Sequence, residues 1–129
     1  MLKKYDLTKI QWECVHFVND ASFPKIELPG LYYFSLGLES SDSKKELIKK
    51  IAGAIKFPAE HGENWDALND SLSDLGWIPA KGYILLVKNV KRLLSLEPEV
   101  IGQLIQIWLS CAEKWSKEKK SFHLLIDIS

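Results

Sequence analysis

This sequence predicts an α/β domain: a small, mainly parallel three-stranded sheet with helices packed on it, and a further strand near the N-terminus. Three observations point there. The run Tyr83–Val87, YILLV, is apolar without alternation, which marks a strand buried on both faces, and such strands belong mainly to parallel sheets. The segments joining Leu36 to Tyr83 and Val87 to Phe122 are long and carry helical apolar spacing. Parallel neighbours need crossovers of that kind, and these are right-handed. Finally, 129 residues with 47% hydrophobic and 26% charged side chains make about one ordinary domain, with too much apolar content for intrinsic disorder.

In chain order, residues 1–9 are polar and belong on the surface. From Ile10 to Val18, IQWECVHFV alternates loosely, with Ile10, Trp12, Cys14 and Val18 to one side, which reads as a strand. Pro24, Pro29 and Gly30 make the following stretch a connection. Leu31–Leu36, LYYFSL, lies between Gly30 and Gly37 and is rich in aromatics, a strand composition. Ser43 and Glu46 have capping-box spacing, and Leu47, Ile48, Ile51 and Ile55 follow on one helical face. A helix therefore runs from Lys44 to Lys56, and Pro58 stops it by disfavouring helical geometry at Phe57. Its lysines face solvent.

A second, shorter helix follows. Asn64 is a good N-cap, Asp66 sits in the first turn where the helix dipole favours an anion, and Gly76 after Leu75 suits the C′ position. Tyr83–Val87 is next. Ser95 or Glu97, with Pro98 in the first turn, starts the longest helix, whose seam of Ile101, Leu104, Ile105, Trp108, Ala112 and Trp115 continues to about Lys117. Phe122–Ile128, FHLLIDI, is the last strand. Residues 1–30 form an N-terminal extension packed on a domain of residues 31–129.

Equal numbers of basic and acidic residues, 17 each, give no global attraction to nucleic acid or anionic membrane. Local segregation is the informative quantity. Phe57–Trp77 holds Glu60, Glu63, Asp66, Asp70 and Asp74 but neither Lys nor Arg. At about 100° per residue, Glu63, Asp66, Asp70 and Asp74 share one helix face, and Trp65, Leu68, Leu72 and Leu75 the other. Asp66 and Asp70 are four apart, and such like-charge neighbours destabilise a helix by roughly 0.2–0.5 kcal/mol. Charge spacing alone leaves two readings open: a solvated face, or a surface that attracts a basic partner.

Chemistry is otherwise sparse. The scattered glycines form no phosphate-binding loop, and no nucleophile elbow is present. Cys14 and Cys111 lie far apart in apolar-patterned surroundings and read as buried free thiols. His16 and His123 fall within strands and read as structural. His61, beside Glu60 and Glu63, could suggest a metal or acid–base site, but no second cluster completes one, so neither a metal nor a cofactor is expected, and an enzyme is not the reading. Asp66 and Asp70 point the same way from one helix, unlike the opposed carboxylates of glycoside hydrolysis. An acidic face repels phosphate, which excludes direct nucleic-acid binding there. The chain's first residues lack the apolar core of a signal peptide, and no apolar run reaches the length of a membrane span. A soluble, cytoplasmic protein is expected.

The string Gly62-Glu63-Asn64-x-Asp66-Ala67-Leu68-x-Asp70-x-Leu72 resembles the signature of the barstar family, intracellular inhibitors of secreted ribonucleases such as barnase. The predicted order of elements from Leu31 to Ser129 is similar as well. The resemblance implies an immunity protein that protects its producing cell by laying the acidic helix and the preceding loop across a basic ribonuclease's active site. Asp66 and Asp70 match the two helix aspartates that pair with cationic groups meant for RNA phosphate, Asp70 as the phosphate mimic. Gly62, Asn64 and Trp65 match contact positions, and Glu60, His61 and Asn69 occupy further positions on that surface. Charge complementarity would speed encounter and fix register, and a few buried contacts would carry most of the energy; barnase–barstar is itself the reference system for both generalisations. The chain departs from the pattern at Asn69, where barstar has an aromatic, at Glu60 and His61, which replace two tyrosines, and at the basic run Lys88–Arg92. Those departures keep a second reading open: a non-inhibitory interaction module of the same fold with another basic partner.

Overall fold

The computed structural model describes residues 10, 14–19, 29–56, 64–75 and 78–128. Four strands form one sheet: β1 (Val15–Val18), β2 (Leu31–Gly37), β3 (Gly82–Lys88) and β4 (Ser121–Asp127). Their spatial order is β1-β4-β3-β2, and every neighbouring pair is parallel. The predicted three-stranded parallel sheet is β2-β3-β4, and the N-terminal strand adds itself to the β4 edge. It is shorter than Ile10–Val18: Ile10 lies before the strand and is exposed, and Trp12 is outside the described residues.

The crossovers are helical. Between β2 and β3 lie α1 (Lys44–Ile55) and α2 (Trp65–Ser73); between β3 and β4 lie α3 (Lys91–Leu96) and α4 (Pro98–Lys117). Both crossovers step one strand in the same direction, which with a common hand places the helices on one face of the sheet. The packing agrees. Leu47, Ile48, Ile51 and Ile55 of α1, Leu68 and Leu72 of α2, Leu93 of α3, and Leu104, Trp108 and Cys111 of α4 share one core with Phe34, Leu85, Val87, Leu124 and Ile126. On the other face, Val18, Ile84, Leu86 and Leu125 form a second buried cluster with Leu31 and Tyr33. All of β4 and nearly all of β3 are buried, so the absence of alternation in YILLV and FHLLIDI has its cause in two covered faces.

Local chemistry fixes the helix ends. Ser43 Oγ accepts from the Glu46 amide at 3.3 Å, while the Glu46 carboxylate reaches back to the Asp42 amide at 3.4 Å, a capping box displaced by one residue. Lys56 ends α1 in the left-handed region (φ 56°) with its N–H on the Ala52 carbonyl. The α1 lysines are exposed except Lys50, which is half-buried and donates to the Gly37 carbonyl at 2.7 Å.

Two expectations need correction. The stretch after β3 is not a simple lead into α4: Lys91–Leu96 is a helix of its own, with Leu93 turned into the core. It stops at Glu97 (φ −142°, ψ 70°), the residue before Pro98, where the proline ring disfavours helical backbone. Pro98 then occupies the first turn of α4. Helix α2, for its part, ends at Ser73 with Asp74 as an extended C-cap (φ −136°), not at Gly76, which is outside the described residues. Leu75 is still fully buried, so it reaches the core from the connection and not from the helix.

Candidate functional site

Helix α2 divides into three strips. Leu68 and Leu72 are fully buried against the sheet. Asp66 and Asp70 point outward and are exposed. Between these strips, Trp65, Asn69 and Ser73 face α4. The helix starts as Asn64 predicts: its Oδ1 accepts from the Ala67 amide at 2.8 Å. Asp66 follows in the first turn, where its charge is favoured by the unsatisfied N–H groups. Among the described residues, no ion pair involves Asp66 or Asp70.

The strip facing α4 is held by a row of polar contacts. Trp65 is half-buried, packs on the core, and donates from Nε1 to Gln103 Oε1 at 2.9 Å. The thiol of Cys111 lies 3.3 Å from Asn69 Oδ1 and 3.4 Å from Ser73 Oγ. Lys114 Nζ donates to Ser73 Oγ at 3.3 Å, and Trp115 Nε1 to the Leu72 carbonyl at 2.7 Å. Burial, first of all, pushes the Cys111 thiol above its ordinary value, against the opposing pull of the Ser73 hydrogen bond and Lys114. It is therefore a neutral thiol at this seam. Both cysteines are free and buried, as expected.

The sequence-predicted residues thus separate. Asp66 and Asp70 come together on one outward face, one helical turn apart, with Asn64 exposed at the helix start. Asn69 is half-buried and turned toward Cys111. Glu60, His61 and Gly62 lie outside the described residues. Sequence reasoning missed the α4 wall of Gln103, Cys111 and Lys114. Gln103 and Cys111 are eight apart, and Cys111 and Lys114 three apart, a helical spacing that places all three on one flank of α4.

Two residues of the run after β3 are likewise engaged. Arg92 pairs with Asp42 at 3.5 Å, and Asn89 Nδ2 donates to Glu39 Oε2 at 2.6 Å. Both contacts tie α3's approach to the loop after β2, although the ion pair is half exposed and worth little. At the opposite end of α2, a cleft of about 500 Å³ is lined by Asp74, Tyr83, Lys114, Trp115, Glu118 and Lys120. Lys120 Nζ stands 5.4 Å from the Trp115 ring centre. Its charges are mixed and carry no single-sign attraction. Among the described residues, no group of three or more His, Cys, Asp or Glu could hold a metal ion, and no helix is long and apolar enough to cross a membrane.

The family model described as Barstar (barnase inhibitor) matches residues 32–127. The chain belongs to the barstar family. The matched span runs from β2 through the end of β4, so α2 and its seam with α4 lie within the barstar-like region, and β1 lies before it. A comparison with curated proteins finds no match.

Proposed function

We propose that this protein inhibits a basic ribonuclease by covering its active site with α2, whose outward carboxylates stand in for RNA phosphates. The observation that carries the reading is the disposition of Asp66 and Asp70. Both are exposed on one face of a helix whose opposite face is fully buried, within a family described as barnase inhibitors. A rigid acidic face loses little freedom when a partner docks, and the partner's RNA-binding cations supply complementary charge. Asp70 is assigned as the principal phosphate mimic, Asp66 as its neighbour, and Gly62, Asn64, Trp65, Asn69, Glu60 and His61 as surrounding contacts. The protein acts as a binding protein with no turnover, in the compartment where the nuclease is made and must be silenced.

The test is titration of a secreted ribonuclease of the barnase type with this protein and with Asp70→Ala. Truncation of a binding hot spot costs about 2 kcal/mol or more, roughly a 30-fold loss of affinity, and the wild-type affinity falls as salt rises. Inhibition undiminished in Asp70→Ala would remove α2 from the interface. A second reading, a non-inhibitory module with a different basic partner, is favoured by one observation. Asn69, between the two aspartates, directs its side chain to Cys111, so this surface presents a different contact from the family's aromatic. Capture of a stable basic partner without nuclease activity would decide for it.

A further inference from the structure

β1 precedes the region that the family model matches, and its hold on the sheet contains an unusual pair. His16 Nε2 lies 2.9 Å from His123 Nδ1, with the ring centres 5.1 Å apart and the ring planes 11° apart. His123 is fully buried, and His16 is half-buried at the sheet edge. By strand alternation they share the sheet face that carries Val18, Ile84, Leu86 and Leu125. A hydrogen bond between two ring nitrogens needs one protonated and one bare nitrogen. It forms when both imidazoles are neutral, survives one added proton, and fails when both are cations. Burial beside Val18, Ile84, Leu86 and Leu125 opposes a charge on His16.

We propose that the His16–His123 pair is a proton-sensitive latch that holds β1 on β4 at neutral pH and releases it in mildly acidic solution. Burial first, then the neighbouring His123, holds His16 down to about 4 when β1 is docked. In a released strand it returns to its ordinary value near 6.5. Above pH 6.5 both states are neutral, and docking does not depend on pH. Between 6.5 and about 4 the released strand takes up a proton that the docked strand does not. Docking then weakens by up to about tenfold for each pH unit of descent. The stabilisation is thus present above 6.5 and lost as pH falls.

Other ionisable groups share this side of the sheet. Burial raises the Tyr33 phenol on β2 above its ordinary value, whereas Cys14, two residues before His16, packs in the helix-side core and is pushed by burial to about 11; both stay neutral through the window. On β4, Asp127 lies opposite Val18, two residues beyond the Leu125 that pairs with His16. On β3, Lys88 stands at the far end of the strand.

Hydrogen exchange of the full chain tests the latch. The amides of Leu124 and Ile128 donate to the Cys14 and Val18 carbonyls at 2.8 Å, so their protection reports β1 docking, while Leu85 reports the sheet interior. After correction for intrinsic rates, protection at Leu124 and Ile128 should fall about tenfold per unit below pH 6.5, with Leu85 unchanged. His16→Phe keeps a ring in place without titration and should abolish the slope; Asp127→Asn should retain it. Three results would overturn the latch: no slope in the wild type, an equal slope at Leu85, or a slope that persists in His16→Phe. If His16→Phe does not fold, the wild-type imidazole titration decides, because a docked His16 that titrates near 6.5 refutes the proposal.

Discussion

The acidic face of α2 should be a stability liability in the free protein, and Asp70→Ala measures it. Asp70 is exposed and lies four residues after Asp66, so its removal relieves a like-charge contact worth roughly 0.2–0.5 kcal/mol. It stands in the second half of a helix that ends at Ser73, where the carbonyl end of the dipole disfavours an anion by a few tenths of a kcal/mol or more. Alanine is also the best helix former, and aspartate is about 0.7 kcal/mol poorer at an interior position. The three contributions have the same sign and sum to about 1.2–1.7 kcal/mol of stabilisation. Urea unfolding followed by tryptophan fluorescence should therefore show a higher midpoint at unchanged slope, and thermal unfolding a rise of about 4 °C. A variant that is less stable than wild type by more than ~0.5 kcal/mol would refute the reasoning, because the carboxylate would then serve the fold. A variant that is more stable yet binds a nuclease poorly would identify a residue kept for binding at the expense of stability.

The other faces of α2 and of the sheet give predictions of opposite sign. Leu72→Ala, at a fully buried position, should cost about 2–5 kcal/mol in the same urea experiment. Trp65→Phe keeps most of the ring packing but loses the bond to Gln103; a loss of about 0.5–1.5 kcal/mol is expected, and a double-mutant cycle with Gln103→Ala should show coupling between the two. Gly82→Ala would drive a methyl group into Ser121 and Leu31 across the sheet. A cost of about 1–3 kcal/mol follows, read as a lower melting temperature.

The centre of the sheet was legible because β3 and β4 are buried on two faces, and a run such as Tyr83–Val87 can hardly be anything else beside Gly82 and the helical stretches around it. The caps at Ser43 and Asn64 were legible for a similar reason: an oxygen-bearing side chain must meet orphan amides at those positions. Helix α3 was not legible. Lys91–Leu96 has one inward residue, Leu93, so it lacks a repeating apolar stripe, and its start at Val90 has no side-chain cap. The end of α2 was misplaced because Gly76 suits a helix terminus, whereas the chain leaves the helix at Asp74 to bury Leu75 from a different direction. The His16–His123 contact joins positions 107 apart; two isolated histidines carry no sign of each other until the strands are paired.

The same distinction governs what can be read at α2. Periodicity separates Asp66 and Asp70 from Leu68 and Leu72 by about half a turn, and that division needs only the helix. The positions between, Trp65, Asn69 and Ser73, acquire a role only from what lies beside them. That neighbour is α4, which places Gln103 against Trp65, Cys111 against Asn69 and Ser73, and Lys114 against Ser73. A nine-residue helix is too short to hold its shape alone in water. Its buried leucines fix its height above the sheet, and the α4 contacts resist rotation about its own axis. Rotation is the motion that would turn the aspartates away from a partner docked as proposed. A seam of polar groups therefore holds the acidic face in one orientation better than an apolar seam would, because each hydrogen bond accepts one orientation of the helix and an apolar contact tolerates several.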